Sequence, residues 1–293
     1  MPYRLRTIKY LLPLLLLGLV AGCSRGPSVR PLHMAIVPFE KVSKLEAEFN
    51  PMARYLSQKL GRPVILTTPT DYLGVVTGLQ TGQVDIAYLS SFPYALATSK
   101  MKLHLIALPW QFGSPTYHGI IFTLKTSNIH SIKDLKGKTF AFGDVGSTSG
   151  YLLPRGLMLQ NGINPDKDLA HSYNVGAADA VVKAVAHHAA DAGAGYDGVL
   201  QLTYSHDLQK VKLFRVIAKT IEVPNGVYVA PPNMKPALLK RIRYVFMHMA
   251  DDPAGRAAMK AAENDKMVIA NDRMFDQVRK IAKILNLDLS HLK

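Results

Sequence analysis

One segment of the chain gathers the side chains best suited to bind an anion. Residues 142–150 (FGDVGSTSG) contain three consecutive hydroxyl residues, Ser147, Thr148 and Ser149, flanked by glycines. The segment follows a predicted strand at 138–142 and opens a predicted helix, so hydroxyls and unpaired backbone N–H groups converge on one point. Proteins bind phosphate or sulfate in this way without a metal. An ordinary helix cap needs only one hydroxyl. Three of them therefore favour an anion site over a simple cap.

The sequence offers little for enzyme catalysis. The hydroxyl segment resembles the hydrolase turn G-x-S-x-G only superficially, because its central residue is Thr148. The chain has neither His-Glu-x-x-His nor a phosphate loop with Lys after its second glycine. His187 and His188 are adjacent, and neighbours on a helix point in different directions. We therefore expect no catalytic residue, no metal and no cofactor.

The elements around this segment predict an α/β protein. Short apolar runs alternate with helix-period stretches in two series, and a chain of 293 residues has room for two modest domains. Asn50-Pro51 predicts the start of a helix that ends at Gly61. Three helices, near 235–249, 253–263 and 275–285, are predicted to close the chain and to pack on the first lobe. Ligands of such paired sheets bind in the cleft between the lobes.

The first residues predict export and a lipid anchor. A basic start with Arg4, Arg6 and Lys9 precedes an apolar run at 11–20, the layout of a secretory signal. The ending Val-Ala-Gly before Cys23, the only cysteine of the chain, resembles the bacterial lipobox. We predict a signal peptide at 1–22, lipidation of Cys23 and a tether at 23–31, which places the protein on the periplasmic face of the cell envelope. The alternative is a plain secretory signal with an incidental cysteine.

The chain is strongly basic. Its formal charge of +14 falls to +11 once the three cations of the signal are removed. A positive surface attracts anions, although a merely solvated basic surface explains the charge equally well. Nucleic acid is not expected as a partner, because the lysines are scattered and the chain is predicted to be exported.

Several further motifs carry a family resemblance. They are residues 71–72 (DY), 82–87 (GQVDIA), 134–138 (DLKGK), 147–150 (STSG) with Pro154, and 190–194 (ADAGA) with Val185. With Ser91 and Tyr94 at the position of the family's pocket turn, nearly the whole mature chain resembles the periplasmic phosphate/phosphite/phosphonate-binding proteins of ABC transporters.

That resemblance implies a type II two-lobed periplasmic-binding-protein fold with a ligand cleft between lobes joined by two hinge strands, near 118–124 and 214–220. Lobe 1 would comprise 32–120 and 219–293, and lobe 2 would comprise 121–218. The implied function is that of a monomeric substrate-binding lipoprotein, which delivers a small oxyanion to ABC permease and ATPase subunits.

The resemblance also implies a set of ligand-binding residues. The hydroxyls of Ser147, Thr148 and Ser149 would hold the anion. The opposite lobe would contribute Ser91, Tyr72 and Tyr94, and the far wall Tyr196 and Asp197. For the two first-lobe tyrosines, core packing is an equally open alternative, and Asp197 could instead cap the helix that follows it.

One departure from the family bears on the ligand. Many members have a histidine just before the aspartate that corresponds to Asp179, whereas this chain has Ala178. Members that bind aminoalkylphosphonates use acidic groups for the ammonium, and here only Asp197 or Glu40 are candidates. A larger phospho- or sulfo-organic ligand therefore remains an alternative. A sensing role that feeds a membrane histidine kinase is a second alternative, because sensing and transport would both use closure of the cleft.

Overall fold

The computed structural model describes residues 30–287. The predicted signal peptide, Cys23 and all but the last two residues of the predicted tether lie outside the described residues. The strands are β1 (Leu32–Ile36), β2 (Val64–Thr67), β3 (Ile86–Leu89), β4 (His104–Trp110), β5 (Thr116–Leu124), β6 (Thr139–Phe142), β7 (His171–Asn174), β8 (Ala192–Tyr196), β9 (Phe214–Pro224), β10 (Val227–Ala230) and β11 (Lys266–Val268). The α-helices are α1 (Val42–Leu60), α2 (Tyr72–Thr81), α3 (Ser91–Lys100), α4 (Leu153–Gln160), α5 (Ala178–Ala186), α6 (Val199–Thr203), α7 (Pro236–Met247), α8 (Pro253–Ala261) and α9 (Asp276–Ile284).

The strands form two mixed sheets. The first has six strands in the order β11-β4-β10-β3-β1-β2, with β1 parallel to both β2 and β3 and with β10 antiparallel to β3 and β4. The second has five strands in the order β7-β6-β8-β5-β9, with β6 parallel to β7 and β8. The predicted α/β class with two lobes is confirmed.

The chain crosses between the sheets twice, after β4 and after β9. Strands β5 and β9 pair antiparallel from Thr116↔Pro224 to Leu124↔Phe214, so both lie in the second sheet along their whole length. The two crossings are therefore the short segments 111–115 and 225–226. They lie a few residues outside the hinge positions predicted from the sequence.

Each sheet carries its own hydrophobic core, and a further cluster joins the two lobes. Helices α7 and α8 pack on the first lobe, as predicted. Helix α9 instead contacts both α3 of the first lobe and α4 of the second. Its buried residues Val278 and Ile281 pack in one cluster with Phe92 and Leu153. The prediction that the helical tail packs on the first lobe therefore describes α9 only in part, because this helix packs on the second lobe as well.

The predicted start of the first helix is wrong. Helix α1 begins at Val42 rather than at Asn50, and Pro51 lies inside it. Its buried residues Leu45, Phe49 and Met52 recur at helical spacing, and their packing outweighs the hydrogen bond that proline removes. The helix ends, as predicted, at Gly61, whose φ of 64° is the left-handed conformation that glycine tolerates.

Across residues 30–287, no helix is both long enough and apolar enough for a bilayer span. The same residues contain no group of three or more His, Cys, Asp or Glu side chains placed to hold a metal ion.

Candidate functional site

The hydroxyl segment lies between β6 and α4. After β6 the backbone N–H of Gly143 donates to the carbonyl of Gly150 at 2.9 Å, which folds the segment back on itself. Ser147 then caps a wide helical turn, Thr148–Leu152, that continues into α4. Its Oγ accepts from the N–H of Gly150 at 3.0 Å. Part of this segment is therefore the ordinary cap considered in the sequence analysis, and two hydroxyls remain for other partners.

All three hydroxyl residues are buried, with 8, 1 and 6 % of Ser147, Thr148 and Ser149 exposed. Thr148 Oγ1 accepts a hydrogen bond at 2.8 Å from the backbone N–H of Phe92 at the start of α3. It also donates to Ser90 Oγ at 3.3 Å. Because Ser90 and Phe92 belong to the first lobe, Thr148 connects the two halves of the molecule at the site.

Two tyrosines complete the hydroxyl cluster. Tyr72 at the start of α2 is hydrogen-bonded to Ser147, and burial raises its pKa far above the usual range. Tyr117 in β5 is hydrogen-bonded to Ser149 and Thr148, and burial raises its pKa to about 12. Both phenols are therefore neutral donors at physiological pH. Gly146 lies so close to Tyr72 that a Cβ there would come within 2.6 Å of the tyrosine Cβ.

These groups line a cavity of about 460 Å³ between the lobes. Its hydroxyl-bearing residues are Tyr72, Tyr88, Ser90, Ser114, Thr116, Tyr117, Ser147, Thr148, Ser149 and Tyr196. Among the described residues that line it there is no Lys, Arg or His, whereas three carry carboxylates: Glu40, Asp197 and Glu263. The site thus meets an anion with neutral donors only.

Glu40 and Glu263 lie close together at one wall of the cavity, next to Glu48, which does not itself line the cavity. Tyr196 Oη donates to Glu40 Oε1 at 2.6 Å, and Lys44 forms an ion pair with the same carboxylate. Burial raises the pKa of Glu48 to about 7, although Lys44 Nζ lies 3.6 Å away and lowers it in part. Burial likewise raises the pKa of Glu263. This wall accepts protons and cations rather than anions.

The lobes are in contact around the cavity. Besides the bonds of Thr148 and Tyr196, the backbone N–H of Ala178 donates to the carbonyl of Phe39 at 3.0 Å. Ala178 therefore lines the cavity and joins the lobes through its backbone. These contacts describe a closed cleft.

Two residues predicted from the resemblance do not line the cavity. Ser91 is fully buried and donates to the carbonyl of Pro224 at 2.7 Å. Tyr94 donates to Asp272 Oδ1 at 2.8 Å, and its ring packs against Phe275 with centroids 4.2 Å apart. Because α3 buries one face against the C-terminal segment, Tyr94 packs in the core, which is the alternative considered above. Neighbouring Ser90 lines the cavity instead.

Asp197 lies at the cavity and does not cap the next helix. The N-terminal cap of α6 is Gly198, without a side-chain bond, and Asp197 is exposed. Of the predicted ligand residues, the structure thus brings together Ser147, Thr148, Ser149, Tyr72, Tyr196 and Asp197.

Sequence reasoning missed Tyr117 and Glu263. The predicted hinge strand started at residue 118, so the alternation that turns Tyr117 toward the cavity was cut off by one residue. Glu263 follows α8 and reaches the site only through the fold of the first lobe. No local motif marks such a residue.

The architecture and the closed cleft define the class of protein as a type II two-lobed periplasmic binding protein. Among solved structures, the chain superposes with a TM-score of 0.80 on a binding protein component of an ABC phosphonate transporter from Pseudomonas aeruginosa, at 22 % identity and with 87 % of this chain and 86 % of that chain covered. PhnD1 from Prochlorococcus marinus, solved in complex with methylphosphonate, gives 0.80 at 20 % identity, covering 88 % of this chain and 98 % of that chain.

Sequence comparison narrows the class to a family. Residues 34–275 match the model of the periplasmic phosphonate-binding proteins of ABC transporters. The phosphate-import protein PhnD of Mycolicibacterium smegmatis is 27 % identical over 75 % of this chain and 72 % of its own length. The phosphonates-binding periplasmic protein of Escherichia coli is 24 % identical over 86 % and 76 %. The chain belongs to this family and is a substrate-binding component of an ABC importer.

Proposed function

We propose that the chain captures a small oxyanion, a phosphonate, phosphite or phosphate, through Ser147, Thr148 and Ser149. The observation that carries this proposal is the burial of three consecutive hydroxyls, with Tyr72, Tyr117 and Ser90 facing them from the same cavity. Neutral O–H and N–H donors bind oxyanions well in a site that excludes water. The relatives named for phosphate import and phosphonate binding support the same ligand class.

Thr148→Ala tests the site directly. We expect the dissociation constant for phosphite or methylphosphonate to rise at least about tenfold, since one hydrogen bond to a charged ligand contributes about 1.5–3 kcal/mol. Calorimetry on the unaltered protein and the variant measures this change. Thr148→Ser retains the hydroxyl and serves as the matched control. Equal affinities of the Ala variant and the unaltered protein for every oxyanion tested would reject the site.

The charges of the cavity restrict the ligand further. With three carboxylates and no cationic side chain among its described lining residues, the cavity disfavours a bare dianion. A monoanion, or an oxyanion that also carries an ammonium group near Glu40 and Asp197, fits this balance better. Because Ala178 takes the place of a histidine, the cavity also has space for a larger phospho- or sulfo-organic ligand.

We further propose that the protein acts in transport without catalysis, as a monomer tethered to the membrane through lipid on Cys23. Family membership supports delivery to a permease and an ATPase over a sensing role. The first described residue, Arg30, precedes β1 of the first lobe, so a tether would join the protein there.

The lipid anchor is tested with Cys23→Ser in cells. We expect the variant in the soluble periplasmic fraction and the unaltered protein in the membrane fraction, since acyl chains supply the attachment. Detection with an antibody after fractionation distinguishes the two. Membrane attachment of the serine variant would argue against lipidation at this cysteine.

A further inference from the structure

Phe112 occupies an unusual turn between β4 and β5. Gln111 and Ser114 exchange backbone hydrogen bonds of 2.9 and 3.0 Å, so Phe112 and Gly113 form the two central residues of a tight turn. Both have positive φ, 51° and 79°. Turns of this kind favour Asn-Gly, and a bulky residue in the left-handed region is a true outlier.

The side chain of Phe112 is also unusually placed. It is 70 % exposed, more than almost every other large hydrophobic residue in the described part of the chain. The turn is attached to the first lobe by a hydrogen bond that Gly113 N–H donates to Asp265 Oδ2 at 2.7 Å. The fold therefore holds an aromatic ring in water, in a backbone conformation that suits another residue. Neither feature stabilises the free protein, which points to a role in binding.

The ring lies at the cavity. Phe112, with Gln111 and Ser114, lines the same space as the hydroxyl cluster, and Leu202 of the second lobe adds apolar surface to it. An exposed ring that lines a ligand cavity gains buried area only when a ligand covers it.

The cavity is larger than a bare oxyanion requires. Its volume is about 460 Å³. An oxyanion of four or five heavy atoms displaces roughly 100 Å³, about three times the share of one liquid water. The remaining space extends from the hydroxyls to Phe112 and accommodates an organic substituent.

We infer that Phe112 determines specificity by contacting the organic group of a phosphonate whose oxyanion is held by the hydroxyls. The substrate class is a phosphonate with an apolar, preferably aromatic, substituent that reaches the turn. This inference rests on the proposed function.

Phe112→Asn separates the two roles of the residue. Asparagine suits the positive φ, so the melting temperature does not fall and the fold is preserved. We expect the affinity for phenylphosphonate to fall about fivefold, the size of an aromatic contact, while the affinity for methylphosphonate stays the same. Phe112→Tyr keeps the ring and retains both affinities. Titration calorimetry of the unaltered protein and the two variants with both ligands measures the six dissociation constants.

His188→Asn is the matched control. His188 has a φ of 58°, is exposed and lies outside the cavity, so the same substitution relieves the same backbone conformation elsewhere. It leaves both affinities unchanged.

A Phe112→Asn protein that binds phenylphosphonate as tightly as the unaltered protein would overturn the inference, and so would an equal loss of affinity for both ligands. Unaltered protein that binds methylphosphonate but not phenylphosphonate overturns the inference while sparing the proposed function. Unaltered protein that binds neither of them, nor phosphite or phosphate, contradicts both.

Discussion

Under the proposed function, Thr148 takes part both in the contact between the lobes and in ligand binding. Its oxygen accepts from the N–H of Phe92, and its proton is directed at Ser90 Oγ over a long 3.3 Å. A hydroxyl with a strong acceptor contact and a weak donor contact can redirect its proton to a better acceptor. A bound oxyanion is such an acceptor, since charge-assisted bonds are shorter and stronger. The residue is therefore prepared to exchange a weak interlobe contact for a strong ligand contact.

The two tyrosines predicted to close over the ligand have different surroundings and should respond differently to loss of their hydroxyls. Tyr94→Phe removes a bond to the half-exposed Asp272 carboxylate, so we expect a loss of about 1 kcal/mol in stability and no change in ligand affinity. Tyr72→Phe removes a neutral donor from the cavity and should weaken oxyanion binding about tenfold.

Urea unfolding and calorimetry on both variants test this contrast. Each variant serves as the control for the other, because the change is the same single oxygen. Weakened ligand binding by Tyr94→Phe would mean that α3 contributes to the site beyond what its packing against Phe275 implies.

At the scale of secondary-structure elements, local signals were predictive where one element carries its own pattern. The hydroxyl segment and the end of α1 at Gly61 both follow from residues within a few positions of each other. Prediction from the sequence was wrong where tertiary packing determines the bounds of an element. Pro51 is tolerated inside α1 because the helix buries Phe49 and Met52 on both sides of it, and no local pattern reports that burial.

The site shows the same division. Ser147, Thr148 and Ser149 were predictable because they are contiguous. Tyr117 and Glu263 come from β5 and from the segment after α8, and only the tertiary fold brings them to the cavity. Tyr94 was misplaced because a helix position alone does not say which face meets the cleft.

A side-chain hydrogen bond joins β8 of the second lobe to the segment after β1 of the first lobe. Tyr196 Oη donates to Glu40 across the lobes at 2.6 Å. Tyr196→Phe removes this bond, so we expect a smaller closed population and a ligand affinity reduced about three- to tenfold, in proportion to the fraction that remains competent. Small-angle scattering should give a larger radius of gyration for the variant.

Tyr173→Phe is the matched control for this prediction. Tyr173 Oη donates to the carbonyl of Ala189 at 2.8 Å, within the second lobe, so its loss does not touch the contact between lobes. If both variants gave the same radius of gyration and the same affinity as the unaltered protein, the bond between Tyr196 and Glu40 would have no part in closure.

At the scale of the whole molecule, the cavity wall is acidic although the net charge of the chain is positive. The chain carries a formal charge of +14, yet Glu40 and Glu263 of the cavity wall lie close to a third carboxylate, Glu48, and all three interact with Lys44. A positive exterior raises the local concentration of anions, whereas the interior selects among them by charge. Under the proposed function, the basic exterior would favour capture of anions and the acidic wall would favour selection among them.

The acidic wall predicts how stability depends on pH. Burial raises the pKa of Glu48 from 4.5 to about 7, so the folded protein holds this proton more tightly than the unfolded chain. The resulting stabilisation is complete below pH 4.5 and is lost as the pH rises to 7, with a slope of at most about 1.4 kcal/mol per pH unit for one proton. Glu48→Gln should flatten this decline, leaving the smaller contribution of Glu263, whose pKa is also raised.

Urea unfolding between pH 5 and pH 7.5 measures how steeply the free energy of unfolding declines with pH. Glu46 is an exposed position on the same helix, so Glu46→Gln should leave this slope unchanged. An identical slope in Glu48→Gln and the unaltered protein would mean that Lys44, 3.6 Å away, keeps the carboxylate ionised in spite of its burial.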